Sequence, residues 1–146
     1  MTAFIWIMLA VVIFVGGQIL AMRPNARDQA LLTLRETARK TGLQPRLLAA
    51  PEWLKQDSRQ MVACYTLIVP EAVMPYWRVQ RIDDQWKTVS GQDRLPGIVM
   101  PAAADQLLAM EGQANAVCFY WRETAGTEVL EELKSLLQLL AKANLQ

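Results

Sequence analysis

The chain has 146 residues, and 15 Lys and Arg against 14 Asp and Glu leave a formal net charge of only +1, so it carries no global field for nucleic acid or an acidic substrate. It contains no histidine, which removes the commonest general base, the usual activator of a nucleophile and the commonest metal ligand.

No charged side chain occurs from Ala3 to Met22. As a helix this run reaches roughly 30 Å, the thickness of a bilayer hydrocarbon core. Residues 3–22 are therefore expected to form a transmembrane helix, and residues 23–146 a single soluble domain. Val15 and Gly17 have the small size required before a signal cleavage at Gln18. However, the segment ahead of the run, Met1-Thr2, lacks the basic residues of a secretory signal, and the run exceeds the usual length of about 7 to 15 apolar residues. Retention is the expectation.

Arg23, Arg27, Arg35, Arg39 and Lys40 follow the span closely, whereas nothing basic precedes it. Basic residues beside a span stay on the cytoplasmic side, so this cluster is expected to set the topology, with the amino terminus outside and the domain in the cytoplasm. Trp6 is placed to anchor the outer interface. Ala3, Ala10 and Gly17 recur every seven residues and Ala21 follows four later, lining one face with small side chains that let a second membrane helix approach.

Pro24 is expected to break the chain before a second helix, which Asn25 caps and Gly42 stops, with Asp28 in its first turn. Leu31, Leu34 and Ala38 share one face of it. The period then becomes strand-like. "LQPRLL" reads as an edge strand because of Pro45, and "MVACYTLIV", apolar on both faces, as a central one. "YWRVQRI" and "WKTV", joined by Asp83-Asp84-Gln85, read as a hairpin. "PAAADQLLAME", opened by a proline and followed by Gly112, predicts a short helix, and "AVCFYW" an interior strand. Thr127 is expected to cap a last helix running through Ala143, with Val129, Leu130, Leu133, Leu136, Leu137 and Leu140 on one stripe that packs on the domain's own sheet. The fold class expected is α+β, with helices on one face of a mostly antiparallel sheet.

Motifs that carry chemistry are missing from the sequence: it has no GxSxG, no P-loop and no dinucleotide-binding glycine pattern. Cys64 and Cys118 lie in strand patterns with no CxxC, and they read as buried thiols of equal strand parity. Adjacent Asp83 and Asp84 read as turn residues rather than a catalytic pair. No cofactor, metal or nucleic acid is expected. Trp77, Trp86 and Trp121, interleaved with Arg78, Arg81 and Arg122, either fill the core or form a face rich in Trp and Arg for a protein partner.

A single span followed at once by Arg23-Pro24 resembles the layout of the YajC family, small accessory subunits of the bacterial secretion translocase. The resemblance covers residues 3–24 and carries no functional residue, because the later helices and strands depart from that family's short β domain. The expected function is a non-enzymatic, single-span accessory, assembly or scaffold subunit, whose partners are the bilayer and another membrane protein or complex. The alternatives are a membrane-tethered enzyme and a periplasmic domain released by cleavage.

Overall fold

The computed structural model describes residues 1–23, 25–54 and 59–142. The chain divides into two compact units, Met1–Leu32 and Thr33–Gln146. Helix α1 (Thr2–Ala21) is 20 residues long, and none of its residues is buried. The break expected at Pro24 lies outside the described residues. Helix α2 (Ala26–Thr41) stops where predicted: Gly42 has φ +97° and its N–H donates to the Arg39 carbonyl at 3.2 Å. That left-handed backbone is costly for any residue with a Cβ.

The second unit holds six strands: β1 (Leu43–Ala49), β2 (Met61–Ile68), β3 (Met74–Ile82), β4 (Gln85–Gly91), β5 (Leu107–Ala114) and β6 (Ala116–Trp121). They form one sheet in the order β1-β2-β6-β5-β3-β4, and every neighbouring pair is antiparallel. The fold is thus α+β, as composition and period indicated. β1, with Pro45, is an edge, and β2 is interior. Asp83 and Asp84 have φ of 51° and 61° and make the two-residue turn of the β3–β4 hairpin.

Two expectations are corrected. Residues 102–106 form only a 3-10 turn, and "LLAMEGQA" is β5, a strand between β6 and β3. Gly112 is therefore no helix stop. It sits opposite Trp77, where a Cβ would lie 2.5 Å from the indole Nε1. Thr127 does not cap the last helix either. It opens a 3-10 turn, Thr127–Val129, ahead of α3 (Leu130–Lys142), and the Glu128 carboxylate instead accepts the Gly126 N–H at 3.1 Å. Ala143, the predicted end of that helix, lies outside the described residues.

Side-chain alternation gives the sheet two faces. One carries Tyr65, Trp77, Val79, Met110, Phe119 and Trp121, all fully buried. The rings of Tyr65, Phe119 and Trp121 contact one another with centroids 5.3–5.6 Å apart. α3 packs against β6 and buries Leu130, Leu133, Leu136, Leu137 and Leu140. Each such leucine contributes about 1.5–3 kcal/mol relative to exposure. The buried Arg94 donates Nη1 to the Leu140 carbonyl at 3.0 Å, placing a cation at the carboxyl end of α3, where the helix dipole favours it. α2 buries Leu34 and Ala38, and its Arg35 pairs with Glu123, just past β6, at 3.0 Å. The other face carries a smaller cluster of Val62, Cys64, Ala109, Cys118 and Tyr120, partly covered by Ala50, Trp53 and Leu54.

Candidate functional site

The face without helices opens into a cleft of about 500 Å³, lined by Cys64, Thr66, Tyr76, Arg78, Glu111 and Cys118, with Gln113, Ala114 and Ala116 toward its end. Strand register builds it. Arg78 on β3 lies opposite Glu111 on β5, Glu111 lies opposite Cys118 on β6, and Cys118 lies opposite Thr66 on β2. Four adjacent strands thus each send one polar or sulfur-bearing side chain to the same level of one face.

Glu111 is the hub. Its Oε2 accepts from Arg78 Nε at 2.9 Å, while its Oε1 accepts from the Tyr120 hydroxyl and, at 3.8 Å, from Cys118 Sγ. The Arg78 guanidinium lies 4.6 Å from the Trp53 ring centroid and 4.9 Å from that of Tyr76, a cation–π arrangement with two rings. Trp53 is carried by a 3-10 turn, Glu52–Leu54, which Gln80 fastens to β3 by donating Nε2 to the Leu54 carbonyl at 2.7 Å. Trp53 also meets Tyr120 edge-on at 5.6 Å. The charged pair is therefore held in place by aromatic contacts and by a buried amide.

Burial, followed by the neighbouring Cys118 and Glu111, pushes the Tyr120 phenol far above its ordinary range. Tyr65, on the helix side, is also pushed up by burial and by Glu123. An unfolded tyrosine ionises near pH ~10, whereas these two stay neutral in the fold, so the stability they confer is complete below about pH 10 and is lost as pH rises toward their folded values. Unfolding free energy measured in urea should therefore fall above about pH 10, by about 1.4 kcal/mol per pH unit for each phenol. Tyr65→Phe and Tyr120→Phe should each flatten that decline. Tyrosinate absorbance from these two residues at about pH 10 with native circular dichroism intact would contradict their burial.

Cys64 and Cys118 are both free thiols, 6% and 7% exposed, on the same face, as strand parity indicates. Their environments differ. A hydrogen bond from Cys118 and a further one from Thr66 favour the Cys64 thiolate, whereas burial opposes it and the net displacement is downward. The same contact with Cys64, together with burial, pushes the Cys118 thiol far up.

The six residues proposed as a Trp–Arg partner face do not form one surface. Trp77 and Trp121 are fully buried on the helix side, where Trp77 Nε1 donates to Met74 Sδ at 3.2 Å. Arg78 is on the opposite face in the cleft. Trp86, half-buried on the edge strand β4, lies opposite Arg81, which bridges Asp84 at 3.2 Å and Asp105 at 3.5 Å. Arg122 is exposed and donates to Gln60 Oε1 at 3.1 Å. The basic cluster also divides. Arg23, Arg27, Arg39 and Lys40 are exposed, whereas Arg35 is engaged by Glu123. Ala3, Ala10, Gly17 and Ala21 all lie on α1 and are exposed, and a Cβ at Gly17 would meet nothing within 4 Å.

Sequence reasoning missed Glu111, Tyr76 and Trp53. The alternation of Ala109, Glu111 and Gln113 with Met110 and Gly112 was the available signal for β5. Among the described residues no group of three or more Cys, Asp or Glu side chains is arranged to hold a metal ion. No family model, curated protein or solved structure matches the chain.

Proposed function

We propose that this chain is a single-span membrane protein whose α+β domain is a non-enzymatic accessory or assembly module for a membrane complex. In this reading α1 is retained in the bilayer with its amino terminus outside. The domain lies in the cytoplasm and offers its cleft face to the partner. The observation that carries the reading is that α1 buries none of its residues. It is a 20-residue apolar helix without one buried side chain, so its surface has lipid or another helix as its natural cover. The second unit, in contrast, has its own core around Tyr65, Trp77, Phe119 and Trp121. The exposed Arg23, Arg27, Arg39 and Lys40 support the orientation.

Two fusions behind Gln146 test it, one to a reporter active only in the cytoplasm and one to a reporter active only outside it. The first should be active in intact cells and the second silent. The fusion should also stay in the membrane fraction with its amino-terminal sequence still beginning before Gln18. The reverse reporter pattern would overturn the orientation, and a mature chain starting at Gln18 would make α1 a cleaved signal.

A further inference from the structure

We propose that Cys64 and Cys118 form a reversible thiol–disulfide couple in the floor of the cleft, taking a small-molecule disulfide or a protein disulfide as oxidant. Both thiols line the open cleft, so they are reached from one side although each is nearly buried. They stand on neighbouring strands: Cys64 is opposite Tyr120 and Cys118 is opposite Thr66, which makes them diagonal neighbours on a single face.

The surroundings assign different tasks to the two sulfurs. Cys64 has Thr66 Oγ1 at 3.8 Å from its Sγ and is the one whose thiolate is favoured. Cys118 has the Glu111 carboxylate at 3.8 Å and holds its proton more tightly. The Cys64 thiolate attacks one sulfur of the oxidant RSSR. Its disulfide bond breaks, RS⁻ departs, and Cys64 is left as a mixed disulfide with R. Cys118 then gives its proton to the released thiolate as it attacks Sγ of Cys64, and the Cys64–SR bond breaks to release the second RS⁻. The two leaving thiolates recover the two protons. The protein has lost two electrons and two protons, and RSSR has become two RSH.

A neutral disulfide suits this position better than a metal-bound thiolate pair. The Glu111 carboxylate beside the sulfurs opposes negative charge on both of them, and a disulfide carries none. The bond is expected to be readily reduced. Diagonal strand neighbours have Cα atoms about 7–8 Å apart, beyond the roughly 6.8 Å of relaxed disulfides, so the bond forms only with movement of the β2–β6 backbone, and strained disulfides are the labile ones. Oxidation also removes the Cys118 donor from Glu111, so the couple acts on the hub that holds Arg78 and Tyr120.

The full chain in mild detergent is equilibrated in glutathione buffers from strongly reducing to strongly oxidising, acid-quenched, alkylated after denaturation and weighed. The expected result is a species lighter by two hydrogens that takes up no alkylating reagent, appears as the buffer becomes oxidising and vanishes with dithiothreitol. Cys64→Ser should leave Cys118 largely unmodified, whereas Cys118→Ser should stop at one glutathionyl group on Cys64. Two alkylatable thiols in the wild-type chain across the whole range would overturn the proposal. So would stable glutathionylation of each cysteine, or a disulfide only between two chains. These readings need neither a partner nor a membrane orientation, so they fail independently of the proposed function, and the wild-type masses decide even if a serine variant does not fold.

Discussion

Gly112→Val should destabilise the domain by about 3 kcal/mol or more, at the upper end of what overpacking a core ordinarily costs. A Cβ at this position would lie 2.5 Å from Trp77 Nε1, 2.7 Å from Cε2 and 2.8 Å from Cζ2. The indole has nowhere to retreat, because Trp77 is fully buried and its Nε1 is engaged by Met74 Sδ. The backbone of Gly112 is itself in the β5 ladder with β3 and β6, so a compensating shift would disturb both neighbours. Urea midpoints of wild type, Gly112→Val, Trp77→Leu and the double variant measure the contact. In the Trp77→Leu background the valine should cost far less, giving a coupling on the order of 1–3 kcal/mol. Equal costs in the two backgrounds would mean that Gly112 and Trp77 do not pack against each other.

That glycine also marks where sequence reading failed. A proline, a run of alanines and leucines, and a glycine eleven residues later are the ordinary punctuation of a short helix, and all of it is local information. What makes "LLAMEGQA" a strand is non-local. β6 and β3 lie on either side of it, and the ladder needs a residue without a side chain where the Trp77 indole crosses. Elements whose signals are local were legible: the stop at Gly42, the edge strand with Pro45, the Asp83-Asp84 turn and the leucine stripe of α3.

The candidate site divides in the same way. Equal parity of Cys64 and Cys118 could be read from two strand patterns, and the structure puts both in the cleft. Glu111 could not be found without the correct assignment of β5, and its pairing with Arg78 and Tyr120 requires the register of three strands. The Trp–Arg face failed for a reason that the sequence already contained. Trp77 and Arg78 are adjacent in a strand, and successive side chains of a strand point to opposite faces. The aromatic ring and the guanidinium beside it were bound to separate, one into the helix-covered core and the other into the cleft, where its stacking partners came instead from Trp53 and Tyr76.

Removing residues 1–24 should transfer the protein from the membrane fraction to the soluble fraction almost completely while leaving the domain folded. α1 contributes no buried residue, and among the described residues every core residue lies at Leu34 or beyond. A chain beginning at Asn25 keeps all of α2, including the Gln29 N–H bond to the Asn25 carbonyl, Leu34, Ala38 and the Arg35–Glu123 pair. It also keeps the six-stranded sheet and α3. Unfolding free energy should therefore stay within about 0.5 kcal/mol of the full-length value, the range of changes that remove no buried contact. Near-ultraviolet circular dichroism, dominated by the packed Tyr65, Phe119 and Trp121 rings, should be unchanged apart from the loss of Trp6. A graded version keeps the full chain and places one charge at the middle of the span. Val12→Arg costs about 2.5–3.5 kcal/mol of insertion free energy at a helix centre, so the membrane-bound fraction should fall without any change in the domain's unfolding midpoint. A truncated chain that aggregates or loses its near-ultraviolet signal would show that α1 shields apolar surface of the domain, and the anchor reading would fall with it.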